Sequence, residues 1–362
     1  MDIKDLVNPE VLTQPVYQPG RPIEEVAEEQ GLDPDQILKL ASNENAWGAS
    51  PKALAAAAEA LQSAHIYPDG GSTFLRRKLA AQLQLQPEQI AVGQGSNEIL
   101  ELLGMVFLRP GVEAVMGEKA FIVYKLVTLL RGAKVVEVPL RNFTHDLQAM
   151  REAVTDKTRL VFLPSPNNPT GTINSNEEVI EFARSLPEHV VFVSDEAYAE
   201  YQEQPLDLLP LIREGRKVVV TRSFSKIYGL AALRVGYAYG PESIIRLLHQ
   251  VRKPFNVDAV GQAAALAALD DQVFVQQVRR DTIAERDRLE AWFVQKGYEI
   301  IPSKGNFILV RFADAAAVNN ALLKQGIIVR PLGPYGMPHH LRITVGKREE
   351  NDRLCQAVEQ LR

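Results

Sequence analysis

The feature that most constrains this chain is a recurring run of short β-branched segments that are apolar at consecutive positions. VEAVMG (112–117), KVVEV (134–138), RLVFLP (159–164), VVFVSD (190–195), KVVVTR (217–222) and LRVGYAYG (233–240) are strand candidates. Strands with no apolar–polar alternation are buried on both faces, which calls for a largely parallel sheet with helices on each side. The intervening segments have the matching period. Ile99, Leu102, Leu103, Val106 and Phe107 follow helical spacing, and residues 179–186 do so more weakly. Ser50-Pro51 reads as an N-cap and first helical residue before the Ala-rich stretch 52–62. An α/β fold is therefore expected.

The flanks differ in character. Residues 1–45 are polar and proline-spaced, with one short helical stretch near 23–30, and read as an arm. A long polar helix is expected over about 271–295, carrying Val273, Val278, Ile283 and Leu289 amid charges. After it come NFILVRF (306–312), GIIV (326–329), LRITV (341–345) and a closing helix near 349–361, an α+β satellite. The expected partition is an arm (1–45), a large domain (46–270) and a small domain (271–362), which suits 362 residues.

Several function classes fall away on composition. With 40 basic against 45 acidic residues the net charge is −5, so no basic field invites nucleic acid or an anionic membrane. The one cysteine, Cys355, allows no disulfide framework and no cysteine-rich metal site. No apolar run approaches the roughly 20 residues of a membrane span. The acidic start MDIKDLVNPE has no apolar core of a signal peptide, so a cytoplasmic protein is expected. The six histidines lack paired-ligand spacing, so no metal is expected.

Polar clusters follow the strands, where ligands sit in doubly wound sheets. RLVFLP runs into SPNNPTG, VVFVSD ends on Asp195, and KVVVTR runs into SFSK. Lys226, just past an apolar strand, is a candidate Schiff-base lysine if partly desolvated; the ordinary alternative is a solvated loop lysine. Asp195 would be a buried carboxylate in want of a cation, such as a protonated pyridine nitrogen, or else a helix-capping aspartate. Arg234, at the start of the next strand, with Ser223 and Ser225, could grip a phosphate. Gly95-Ser96-Asn97 opens an amphipathic helix whose amides could receive the same anion. Asn168 would offer an amide on a proline-stiffened turn that is, on its own, simply a tight turn. Phe121 and Tyr124, near a helix start, could supply a ring face or be core.

Taken together, SPNNPTG, DEAY and SFSKIYGLAALRVGY, in this order and with these gaps, resemble the fold-type I aminotransferases that use pyridoxal 5′-phosphate. The likeness extends over nearly the whole chain. YQPGR (17–21), KLASNEN (39–45), YPDGG (67–71), GSNEIL (95–100) and LRITVG (341–346) resemble the branch acting on histidinol phosphate. The resemblance implies a seven-stranded type of sheet and a homodimer with shared active sites. It implies that Lys226 carries the cofactor, that Asp195 partners its ring nitrogen, and that Tyr198 and Asn168 donate to its O3′. Ser223, Ser225, Arg234, Gly95, Ser96 and Asn97 would form the phosphate cup, and Phe121 would stack on the ring. Tyr67 would reach the cofactor phosphate of a neighbouring subunit. Tyr17, Asn45, Arg330 and Arg342 would form the substrate pocket. Two segments depart from the family pattern. Ala46-Trp47-Gly48 stands where Pro-Leu-Gly is frequent, and Lys119-Ala120 where Pro-Thr usually precedes the stacking aromatic.

The implied reaction is transamination between L-histidinol phosphate and 2-oxoglutarate, giving imidazole-acetol phosphate and L-glutamate in histidine biosynthesis. An aromatic amino acid aminotransferase is the main alternative, because an arginine that grips phosphate also grips carboxylate. A decarboxylase of the same fold is a further one. A pyridoxal-binding transcription regulator would need a DNA-binding module, for which the acidic residues 1–45 offer little.

Overall fold

The computed structural model describes residues 2–12, 14, 16 and 20–361. Its centre is a seven-stranded sheet built from β1 (Ile90–Gln94), β2 (Glu113–Gly117), β3 (Lys134–Val138), β4 (Thr158–Pro164), β5 (Val191–Asp195), β6 (Val218–Ser223) and β7 (Val235–Tyr239). The spatial order is β1-β7-β6-β5-β4-β2-β3. All neighbours are parallel except β7, which runs antiparallel to both β1 and β6.

The apolar runs are explained by two cores. Val161, Leu163, Phe192, Val218 and Val220 belong to the cluster on one face. Leu160, Phe162, Val191, Val193 and Val219 belong to the cluster on the other. Successive strand residues point to opposite faces, so a helix layer on each side demands apolar residues at every position.

Two elements were not foreseen. β1, in IAVGQ, contains glycine and glutamine and carries too weak a strand signal to be read from sequence. The reversal of β7 follows from the short connection after β6: a parallel neighbour requires a crossover, whereas an antiparallel one accepts a loop. That loop, 224–234, holds Lys226. Arg234 accordingly lies before β7 rather than in it, in the left-handed region at φ 53°.

The chain's last third forms a four-stranded antiparallel sheet of β8 (Glu299–Ile301), β9 (Phe307–Arg311), β10 (Arg330–Pro331) and β11 (His340–Thr344), in the order β8-β9-β11-β10. The long helix Gln272–Gln295 bridges the two sheets. Val275 and Val278 enter the large core, while Leu289 and Phe293 enter the core beneath the small sheet. Val273, one of the apolar residues it carries, points outward at 81% exposure. The helix Ile23–Gln30 packs near the small sheet through Val26, which clusters with Leu323 and Ile328, and Leu38–Lys39 pair with Ile327–Ile328. Ser50 caps the helix Pro51–Leu61, accepting from Ala53 N at 3.1 Å.

Candidate active site

Strands β1, β2, β4, β5 and β6 all end at one edge of the sheet, and β7 begins there. Above that edge, between the two sheets, lies a cavity of about 280 Å³. Of the residues anticipated from sequence, Ser96, Asn97, Phe121, Asn168, Asp195 and Tyr198 line it, as do Ser223, Ser225, Lys226, Arg234, Arg330 and Arg342.

Asp195 ends β5 and is buried, flanked in register by Pro164 and Thr221 on the adjoining strands. Tyr124 Oη donates to one carboxylate oxygen at 2.7 Å and Thr221 Oγ1 to the other at 3.0 Å. Burial pushes the carboxyl upward, and these two donors, the Ala197 N–H and the Lys226 charge oppose it. Among the described residues no arginine or lysine forms an ion pair with Asp195. A cationic ring nitrogen suits this partly satisfied carboxylate.

Lys226 Nζ donates to Ser42 O at 3.1 Å and stands 5.6 Å from the centre of the Tyr198 ring. Burial, then the Arg342 and Arg234 charges, lower its ammonium to about 8, against the pull of Glu44 and Asp195. Tyr198 is pushed up to about 12, mainly by burial, and its hydroxyl accepts from Asn43 Nδ2 at 2.9 Å.

The loop after β1 is shaped for an anion. Gly95 has φ +70°, and a Cβ there would stand 2.6 Å from Arg234 Nη2. Opposite it, a Cβ on Gly236 would stand 2.4 Å from Ser96 N, so β7 passes directly beneath the turn. The N-cap residue Gln94 makes no side-chain bond to the first turn of the helix Gly95–Phe107. The amides of Ser96 and Asn97 are thus available at a helix N-terminus, with the dipole favouring negative charge. Arg234 Nη1 donates to Ser225 Oγ at 3.2 Å, and Ser223 Oγ accepts from Ser225 N at 3.0 Å. Turn, arginine and hydroxyls gather donors suited to a phosphate. They stand beside a buried acid and a neutralisable lysine, and the donor set fits pyridoxal 5′-phosphate.

Across the cavity, Arg330 and Arg342 are register partners on β10 and β11. Arg342, buried, donates to Asn168 Oδ1 and to Ala41 O at 2.6 Å.

Three anticipated residues stand elsewhere. Asn45 does not line the cavity: its Nδ2 donates to Ile227 O at 2.8 Å and its Oδ1 accepts from Trp47 N at 3.0 Å. It braces the loop behind Lys226, while Asn43 and Glu44 face the cavity instead. Tyr67 is 80% exposed and stacks on Phe255 at 4.8 Å, outside this chain's own cavity. Tyr17 lies outside the described residues. The departures also have places. Trp47 packs on the large core, and Lys119 O accepts from Asn167 Nδ2 at 3.0 Å. Sequence reasoning missed Asn43, Glu44, Tyr335 and Thr221. Only Thr221 had a readable signal, a hydroxyl one strand over from Asp195. The Tyr124 contact with Asp195 was equally hidden, since the two are 71 residues apart.

Comparison with known proteins gives a consistent picture. Residues 35–358 match the family model described as aminotransferase class I and II. The chain is 47% identical over 360 residues to histidinol-phosphate aminotransferase 2 of Pseudomonas fluorescens, covering 99% of this chain and 97% of that one. It is 44% identical over 362 residues to the histidinol-phosphate aminotransferase of Akkermansia muciniphila, with both covered fully. Among solved structures, the Sinorhizobium meliloti histidinol-phosphate aminotransferase in complex with pyridoxal 5′-phosphate superposes with a TM-score of 0.88. It is 27% identical, and the match covers 98% of each chain. A Thermus thermophilus aspartate aminotransferase variant follows at a TM-score of 0.82 and 25% identity, again over 98% of each.

Proposed function

Because the chain belongs to the class I and II aminotransferases, we propose that it transfers the amino group of L-histidinol phosphate to 2-oxoglutarate, in histidine biosynthesis. The products are imidazole-acetol phosphate and L-glutamate. The observation that carries the substrate assignment is the pair Arg330 and Arg342, opposed in register and lining the cavity that holds Lys226. Two guanidinium groups brought together on one side of a cavity repel one another. A phosphate dianion offsets that repulsion more fully than a single carboxylate, and it accepts both forks.

Pyridoxal 5′-phosphate, when bound, supplies a carbonyl for amines and a ring that accepts negative charge from the substrate Cα. Lys226 would hold it, Asp195 would keep a proton on its ring nitrogen, and Asn168 and Tyr198 would donate to its ring oxygen. The Gly95–Asn97 turn, Ser223, Ser225 and Arg234 would hold its phosphate, and Phe121 would cover one ring face. With its ammonium lowered to about 8, Lys226 is available as the neutral amine that takes the proton from the substrate Cα and delivers it again.

The same reading makes the enzyme a homodimer. The exposed Tyr67–Phe255 stack, with Ile66 and Phe74 exposed nearby, supports Tyr67 reaching a neighbouring subunit's phosphate. No helix among the described residues is long and apolar enough to cross a membrane. The lone cysteine is free and buried, which is in keeping with a cytoplasmic enzyme.

Steady-state rates with histidinol phosphate and with phenylalanine, each against 2-oxoglutarate, test the assignment. A higher kcat/KM for histidinol phosphate is expected. A preference for phenylalanine would make the enzyme an aromatic amino acid aminotransferase.

A further inference from the structure

Behind the wall of the cavity sits a histidine to which the reaction assigns no part. His145 ends the small hairpin Leu140–Arg141/Thr144–His145 and is buried. Its ring packs against the end of β2: a Cβ on Gly117 would stand 2.5 Å from both Cε1 and Nδ1, so only glycine admits the imidazole there. On another side the ring faces the Asn167 amide.

Asn167 is fully buried and occupied in a particular way. Its Nδ2 donates to Lys119 O at 3.0 Å and to Thr170 Oγ1 at 2.9 Å. Turning the amide over would set its oxygen against the Lys119 carbonyl, acceptor against acceptor. The oxygen must therefore face away, toward the imidazole. Among the described residues, neither ring nitrogen of His145 nor Asn167 Oδ1 has a hydrogen bond of good geometry to any other group. A neutral imidazole carrying one N–H can donate to that oxygen. Burial lowers the imidazole to about 4, so the neutral form prevails at physiological pH.

We propose that His145 is a positioning residue which, through the Asn167 amide, holds in place the two loops that carry Asn168 and Phe121 into the cavity. Asn167 connects them directly, since it stands next to Asn168 and binds the carbonyl of Lys119, two residues before Phe121. The hairpin is strapped to the same turn at two further points. Thr172 Oγ1 donates to Phe143 O at 2.7 Å, and Asn174 Nδ2 to His145 O at 2.9 Å. The proposal rests on the reading that Asn168 donates to the ring oxygen of the cofactor. A shift of that turn would then change the cofactor's absorbance and its affinity, beyond any change in turnover.

The test compares holoenzymes carrying His145→Leu, His145→Gln and Asn168→Ala. It measures melting temperature, the pH midpoint of the cofactor absorbance, cofactor dissociation, and kcat and KM separately. With His145→Leu we expect a midpoint moved by half a pH unit or more in the direction seen with Asn168→Ala, and about tenfold weaker cofactor binding. His145→Gln, which keeps an N–H donor, should restore both toward wild type. A wild-type midpoint and affinity in His145→Leu, beside a shifted Asn168→Ala, overturns the tie alone. An unmoved midpoint in Asn168→Ala overturns the role of Asn168 together with the tie built on it. Should the leucine variant fail to fold, His145→Phe, which keeps a ring but carries no N–H, takes its place under the same outcomes: a shifted midpoint supports the tie, and a wild-type midpoint and affinity beside a shifted Asn168→Ala overturn it.

Discussion

Tyr124 Oη donates to Asp195 Oδ2 at 2.7 Å, across a boundary between a helix and a strand that are far apart in sequence. Tyr124 is fully buried, stacks on Phe162 at 4.8 Å with only 6° between the rings, and thereby aims its hydroxyl at the carboxylate. This donor spreads the charge of Asp195 and holds its orientation.

Tyr124→Phe should keep the fold, since the ring stack remains, and weaken the site. Hydrogen bonds to charged groups contribute about 1.5–3 kcal/mol, and with Thr221 still in place the lower end is expected, roughly tenfold in kcat/KM. Steady-state kinetics and cofactor titration check this. Unchanged values in both would show that Thr221 and the Ala197 N–H suffice.

Asp195→Asn removes the charge and leaves the geometry. Losing one partner of a buried charge pair costs about 3–5 kcal/mol, so cofactor binding and transamination should both collapse while circular dichroism stays native. Near-normal turnover would take Asp195 out of its assigned role.

Lys226 should behave as an amine of depressed basicity. Its ammonium is lowered to about 8, by burial first and then by the Arg342 and Arg234 charges. The neutral amine is the reactive form, so modification of Lys226 in the cofactor-free enzyme should rise with pH and level off above about 8. An ordinary lysine would keep climbing to about 10.5. Arg342→Ala removes a neighbouring positive charge and should move the midpoint upward. Peptide mapping after modification at a series of pH values reads both, and a wild-type midpoint near the ordinary value would sink the argument. Borohydride treatment of the holoenzyme should attach the cofactor to the same peptide.

Arg330→Ala and Arg342→Ala should each lower kcat/KM for histidinol phosphate by about 2–4 kcal/mol, the scale of leaving a desolvated charge unpaired. A single carboxylate would need one fork only. If Arg342 alone matters and phenylalanine is the better substrate, the pocket is built for carboxylate. Insensitivity to both substitutions would remove this pocket from substrate binding altogether.

The parts legible in the sequence are those that depend on neighbours along the chain. Apolar residues at consecutive positions in RLVFLP and VVFVSD call for burial on both faces, and the structure divides them between two cores, Leu163 and Phe192 on one side, Phe162 and Val193 on the other. The polar residues at strand ends were likewise readable, because a strand must stop at an edge and its next residues stand there. Asp195, Asn168 and Lys226 meet for that reason.

What the chain order could not express is contact between segments brought together by packing. Asn45 belongs to the same short motif as Asn43 and Glu44, yet its amide is taken by the Ile227 carbonyl, and the other two face the cavity. Tyr124 looked like a core ring until β5 set Asp195 above it. The opposition of Arg330 to Arg342 depends on the register of β10 with β11, which one residue of slip would destroy by turning one side chain to the other face. Local pattern determined the layers and the edge where chemistry collects. The pairing of donors, acceptors and charges was decided only in three dimensions, because hydrogen bonds and charge contacts act over a few ångströms of space, regardless of how much chain lies between.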